Sequence, residues 1–304
     1  MGRRVYFAAI LGAMGTPWLI AVMGPTASGK TEFAETLADE TGCQLINADA
    51  FQVYRWLDIG TGKSPRRAEY RMMDIIEPWE AFGAGDWIQR TVVHLHDLFE
   101  NGKGAILVGG TLYYIRALLE QYADMHGPAD PELRSKLSAL ELPELRTMLL
   151  SRDPAAADKV DLQNRIRVQR ALERLDAPAI SWTLPPFRTL KLSVDLQPEL
   201  LRERIERRVD QMLSSGWLEE VAKLPERGVS RENPGMRAHG YRALWDVAFE
   251  GHELDVARAG VALEVAQYAK RQRTWLRKEP NVVKMPSQDE GNALAAAKAM
   301  ILGV

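Results

Sequence analysis

The sequence predicts an α/β fold: a P-loop-type parallel sheet core with a helical insertion domain. Three observations carry that expectation. An apolar run leads directly into Gly24-Pro-Thr-Ala-Ser-Gly-Lys-Thr31 and a helical pattern, strands then alternate with helices as far as Val108, and the stretch from about Gln121 to Pro186 has no convincing strand before an alternating one returns at Arg188. Alternation of this kind implies parallel strands joined by right-handed crossovers.

Residues 1–16 read as an N-terminal extension, with Met14 as an alternative start. Arg3 and Arg4 precede an uncharged run from Val5 to Met23 that superficially resembles a signal or membrane segment, but Gly12, Gly15, Thr16 and Pro17 break it. Its second half is needed as the first strand, Trp18–Met23. The opening Met-Gly-Arg-Arg-Val-Tyr lacks the Ser or Thr of a myristoylation signal, so no membrane association is expected. After the loop, Phe33, Leu37 and Ala38 recur at helical spacing, and Gly42 is placed to end that helix. A second strand, Gln44–Ala48, ends at Asp49, and a third, Gly104–Val108, ends at Gly109-Gly110-Thr111. The chain returns to its core at Arg188–Asp195, continues in helices from Pro198 to Lys278, and adds a short strand at Asn281–Met285. The core thus comprises residues 17–120 and 187–304, with the insertion at 121–186 between them.

Composition sets bounds. The 304 residues are 46% hydrophobic and 26% charged, an ordinary globular balance, and the formal charge of −2 argues against a uniformly basic nucleic-acid binder while permitting local basic patches. Cys43, the single cysteine, suits a reducing cytoplasm and reads as a small buried residue. The five histidines show no metal-ligand spacing, and His94 and His96 read as surface or packing residues.

The segment from Gly24 to Thr31 fits G-x-x-x-x-G-K-[ST] with the required strand before it and helix after it. Glycines let backbone N–H groups turn toward an anion, the helix N-terminus adds a favourable dipole, Lys30 supplies a point charge, and the Thr31 hydroxyl is suited to Mg²⁺. A phosphate grip does not name the reaction. Asp49, at the C-terminal edge of the sheet, is placed as a general base, a magnesium-associated carboxylate or a helix cap. A motor-type ATPase would carry an acid after the third strand, where this chain has Gly109 and Gly110; those glycines read equally as a tight turn or as a place of close ligand approach.

Taken with the later segments, the chain resembles the tRNA dimethylallyltransferase (tRNA isopentenyltransferase) family over nearly its whole length. The motifs occur in the family's order: the phosphate loop; Asp49-Ala-Phe-Gln-Val-Tyr54 with Leu57-Asp-Ile-Gly-Thr-Gly-Lys63; Asp74-Ile-Ile-Glu-Pro78; Val108-Gly-Gly-Thr111 with Tyr114; Ala129-Asp-Pro-Glu-Leu-Arg134; and Arg167-Val-Gln-Arg-Ala-Leu-Glu173. Arg204-Ile-Glu-Arg-Arg-Val-Asp-Gln-Met212 with Gly216, Arg237-Ala-His-Gly-Tyr-Arg242 and Tyr268–Arg277 complete the series. The chain departs from the family pattern at Ala50, where Ser is usual, at Val265-Ala266, where a Thr-Arg pair is common, and in a shortened connection after Glu173.

The resemblance implies transfer of a dimethylallyl group from its diphosphate to N6 of the adenine at position 37, beside the anticodon of tRNA, with Mg²⁺ as cofactor and a monomer as the working form. It implies Asp49, Thr111 and Lys30 as catalytic residues. Gly24, Pro25, Thr26, Ala27, Ser28, Gly29, Lys30, Thr31 and Arg208 would hold the diphosphate, with Thr31 also the metal ligand. Asp49, Ala50, Phe51, Gln52, Thr111, Arg134, Arg167, Arg170, Arg237 and Arg242 would meet the tRNA. Helical spacing offers two basic stripes, Arg167/Arg170/Arg174 and Lys270/Arg273/Arg277, the second backed by a packing face of Tyr268, Gln272 and Trp275. Such stripes are commonly just solvated faces, and Arg237 and Arg242 could equally brace the loop around Gly235 and Gly240. Three rivals remain: a phosphate-loop kinase or NTPase, a prenyltransferase acting on free adenine nucleotides, and an RNA-binding protein without chemistry.

Overall fold

A computed structural model describes residues 15–120, 125–127, 130–285 and 290–302. The expected extension, apart from Gly15 and Thr16, lies outside the described residues. The strand β1 (Trp18–Met23) is buried along its whole length, because a parallel strand covered on both faces must be apolar throughout. Its alternate residues enter two cores, Leu19, Ala21 and Met23 on one face and Ile20 and Val22 on the other. Helix α1 (Lys30–Thr41) lays Phe33, Leu37 and Ala38 on the second face and closes at Gly42, whose φ of 72° lets its N–H reach Ala38 O.

β2 (Gln44–Asn47) and a two-residue β3 (Tyr70–Arg71) follow, then α2 (Ala84–Glu100), β4 (Ala105–Gly109) and α3 (Leu112–Leu119). The insertion holds α4 (Pro131–Ser138), α5 (Leu142–Arg152), α6 (Ala156–Lys159) and α7 (Arg165–Asp176), packed around their own small core of Leu137, Leu145, Leu149, Val168 and Leu172. As the sequence implies, it contains no strand among the described residues, only the single bridge His126–Ala179. The chain rejoins the core through β5 (Arg188–Val194), α8 (Pro198–Ser214), α9 (Trp217–Ala222), α10 (Tyr241–Glu250), α11 (Leu254–Leu276), β6 (Val282–Met285) and α12 (Glu290–Leu302).

The described strands form one parallel sheet in the order β3-β2-β4-β1-β5-β6, with Val22 paired to Val108 on one side and to Leu192 on the other. All C-terminal strand ends therefore meet along one edge, the usual place for ligands in such sheets. A third core of Leu57, Met236, Trp217, Tyr241 and Val261 packs the C-terminal helices against the loop that follows Asp49. No helix of the described residues is long and apolar enough to cross a membrane.

The last long helix differs from the expected face. Gln272 is buried, but Trp275 is 42% exposed and lies under Arg116 instead of in the core. Arg273, expected on the basic stripe, pairs with Asp195 at 2.9 Å. A helix receiving one neighbour on each of two sides buries a narrower stripe than periodicity alone suggests.

Candidate active site

β1 delivers the chain to Gly24, where any Cβ would collide with the Val194 carbonyl and Ser28 Oγ. Pro25 O accepts from Ser28 N–H at 3.3 Å and from Lys30 Nζ at 3.4 Å. Ala27 (φ 62°) and Gly29 (φ 91°) both adopt left-handed conformations, folding the loop tightly over Ser28 before α1 begins at Lys30. The first helical bond is Phe33 N–H to Gly29 O, so the earlier amides of α1 are left for an anion. Ser28 Oγ is buried in the same loop with no partner among the described residues, a polar atom awaiting an external oxygen.

One side chain from α11 ties this loop to the sheet edge. Gln272 Oε1 accepts from Thr26 N–H at 2.9 Å, and its Nε2 donates to Gly110 O at 2.9 Å. Gly110 has no room for a side chain, since a Cβ would strike Gln272 Nε2. We expect Gly110→Ala to break this bridge and weaken inorganic diphosphate binding by about ten- to a hundredfold, roughly 1–3 kcal/mol, measured calorimetrically. Unchanged affinity would mean that the loop holds its shape without Gln272.

Asp49 follows β2 and faces the phosphate loop across the strand order reversal. Its Oδ1 accepts from Phe51 N–H at 2.9 Å and Gln52 N–H at 3.4 Å, while Oδ2 lies across from Gly110. No helix follows Asp49, so it caps a turn where a helix cap was one of the expected roles, and among the described residues only Oδ1 accepts these bonds. Thr111 stands behind the acid, with Oγ1 accepting from Ala50 N–H at 3.0 Å, and the Ala50 methyl packs on the apolar core. Gln52 Nε2 donates to Thr61 O (3.0 Å) and Gly62 O (3.3 Å), so its amide holds the Gly60–Gly62 loop in place.

These elements line a cleft of about 1030 Å³, including the solvent-open space at its mouth, bordered by Thr26, Lys30, Thr31, Asp49, Phe51, Gln52 and Arg208 together with an apolar wall. Arg208 reaches it from α8 and fills the space that a side chain at residue 62 would need. Burial pushes the Lys30 ammonium down to about 8, the adjacent Arg208 guanidinium pushes in the same direction, and Asp49 opposes both. Burial also lowers Arg208, again against Asp49. Two cations forced together in a desolvated cleft are poised for an anion.

The folded-state value of Lys30 lies below its ordinary 10.5, so the fold penalises its charged form; the penalty is fully present below about pH 8 and is relieved as pH rises from about 8 to 10.5, so net stability increases across that window. An anionic ligand works the opposite way. Diphosphate affinity should fall by up to ~tenfold per pH unit above about 8, relative to Lys30→Arg, whose guanidinium stays charged throughout. Calorimetry from pH 7 to 9.5 checks this; parallel profiles for the two proteins would remove Lys30 from the anion site.

Thr31 Oγ1 and the Asp49 carboxylate line the same cleft, and among the described residues no cluster of three His, Cys, Asp or Glu could hold a metal alone. This donor set fits a hard cation such as Mg²⁺ that takes most of its oxygens from a phosphate ligand and water.

The remaining predicted residues do not line the cleft, although Arg237 directly precedes Ala238 and His239, which do. Arg134 and Arg170 both grip the buried Glu173 in the insertion, at 3.2 and 2.7 Å, and hold its carboxyl below the ordinary range despite burial. Arg167 is exposed, 3.5 Å from Asp161. Arg237 is exposed at the end of the short 3-10 turn Pro234–Arg237, and Arg242 approaches Glu232 at 3.5 Å with its Nε buried and without a partner among the described residues. Several wall residues were not legible as such. Gln272 read as packing, although a glutamine on an apolar helix face is itself a signal of a buried polar role. His239 tilts on Tyr268 at 4.7 Å and meets Phe51 edge-on at 6.4 Å, giving three rings beside Asp49.

Fold and cleft together define a phosphate-loop group-transfer enzyme, with a carboxylate beside the anion cradle and glycine where a motor-type ATPase would carry an acid. Residues 52–279 match the family described as IPP transferase, a span that starts just past Asp49. The chain is 38% identical over 291 residues to tRNA dimethylallyltransferase 2 of Syntrophus aciditrophicus (strain SB), covering 89% of this chain and 92% of that one. It is 36% identical over 281 residues to tRNA dimethylallyltransferase of Geobacter metallireducens, covering 87% and 91%. The crystal structure of the full-length tRNA isopentenylpyrophosphate transferase from Bacillus halodurans superposes with a TM-score of 0.68 at 30% identity, covering 94% and 96%. The chain belongs to the IPP transferase family of tRNA dimethylallyltransferases.

Proposed function

We propose that the chain transfers the dimethylallyl group of dimethylallyl diphosphate to N6 of adenine 37, next to the anticodon of tRNA, releasing diphosphate. The observation that carries this reading is the placement of Asp49, whose Oδ2 has no hydrogen bond among the described residues, in the same cleft as the phosphate loop, Lys30 and Arg208. As the donor C–O bond breaks and the C–N6 bond forms, charge develops on the departing oxygens, where Lys30, Arg208 and the loop amides await it. The N6 proton passes to Asp49 Oδ2. Mg²⁺ held at Thr31 would add neutralising charge at the diphosphate. Phe51, His239 and Tyr268 offer faces for a flipped-out base, and Thr111 fixes the backbone at Ala50 beside it. The exposed Arg167 and Arg237, with Arg134, Arg170 and Arg242, are suited to phosphates of the anticodon arm. We take the working form to be a cytoplasmic monomer, to which the buried free thiol of Cys43 is suited.

The test is incubation with dimethylallyl diphosphate, Mg²⁺ and unmodified tRNA, then nuclease digestion and mass spectrometry. One dimethylallyl group should appear on the nucleoside directly 3′ of the anticodon, and chelation of Mg²⁺ should suppress it. Modification of AMP but not of tRNA would move the function to free nucleotides.

A further inference from the structure

The apolar half of the cleft has a direction and an end. α8 and α11 pack together as its walls. Along α8, Arg208 stands at the phosphate end and Met212 one turn further on. Along α11, Gln272 touches the phosphate loop, and Val265 and Val261 follow at helical spacing away from it. Both helices therefore present a polar group to the loop and apolar groups beyond it.

Trp217, the first residue of α9, closes the far end. It is 1% exposed and meets Tyr241 edge-on at 5.7 Å. Gly60 and Gly240 press on the ring so closely that a Cβ at either position would overlap the indole, and Val261 borders the same contact. The Nε1–H is buried without a hydrogen-bond partner among the described residues, so no hydrogen bond explains the choice of tryptophan there. Its contribution is bulk. A ring wedged between two backbones has no rotamer into which it can swing aside.

We infer that Trp217 sets the upper limit on donor length, closing the cleft to allylic diphosphates longer than one five-carbon unit. This rests on the donor reading above. With the diphosphate seated at Lys30 and Arg208, the second isoprene unit of geranyl diphosphate would meet the indole, and avoiding it would lift the diphosphate out of its cradle.

The experiment measures binding and kcat/KM for dimethylallyl and geranyl diphosphates, with inorganic diphosphate as a binding control, in the wild type, Trp217→Ala and Trp217→Phe. The geranyl to dimethylallyl ratio should rise about a hundredfold in Trp217→Ala and in the same direction, by less, in Trp217→Phe. Thermal melts accompany each variant, and if Trp217→Ala lacks a cooperative transition the ratio in Trp217→Phe decides. A wild type that already uses geranyl diphosphate well, or folded variants whose ratio stays at the wild-type value, would overturn the inference while leaving the donor reading intact. A wild type that binds dimethylallyl diphosphate no better than inorganic diphosphate would sink the donor reading itself, and the inference with it.

Discussion

Asp49→Asn is expected to lower single-turnover prenyl transfer by about 10²- to 10⁴-fold while dimethylallyl diphosphate still binds. Asparagine retains an oxygen to accept from Phe51 N–H and Gln52 N–H, so the turn after β2 should keep its shape. What it loses is the carboxylate character of Oδ2, the oxygen opposite Gly110 that takes the proton in the proposed mechanism. The nucleophile needs that loss of a proton because the N6 lone pair is delocalised into the adenine ring. A variant that transfers at the wild-type rate would show that the proton leaves by another route.

Arg208→Ala should cost about 10²- to 10³-fold in kcat, the size of effect seen when one fixed donor to developing negative charge is removed. Lysine should restore little, because the planar fork that fits the space above Gly62 is lost. The same variant carries an electrostatic signature. With the like charge gone, the Lys30 ammonium should titrate above its present value of about 8, which the pH profile of diphosphate binding would register. A fall of less than threefold, with no change in that profile, would place Arg208 outside the anion site.

The parts of this site that sequence made legible are those written locally. The phosphate loop, its flanking strand and helix, and Gly42 at the helix end depend on residues a few positions apart, and each stands where the pattern places it. Asp49 was legible as an acid at a strand end, although not which of its oxygens caps the turn. Gly110 stayed ambiguous between turn and site because its meaning lies in Gln272, 162 residues further along the chain. The same distance hid Gln272 itself, which periodicity assigned to a packing face with Trp275. β3 was not foreseen, since a two-residue strand exists only through its pairing with Leu45 and Ile46. The arginines of α7 illustrate the limit of charge patterns: spacing put Arg167 and Arg170 on one stripe, but Arg170 is turned to the buried Glu173 with Arg134. A buried carboxylate that needs two partners cannot be read from a helical wheel.

The most direct test follows label. Purified protein with Mg²⁺ would receive dimethylallyl diphosphate labelled in its five-carbon group, with unmodified tRNA, AMP or ATP as acceptor, and a parallel reaction would carry γ-labelled ATP with tRNA. Label from the prenyl donor entering tRNA, with none entering AMP or ATP and no phosphate leaving ATP, is the predicted result. Release or transfer of the ATP γ-phosphate without any prenyl transfer would contradict the account and make the cleft a nucleotide site.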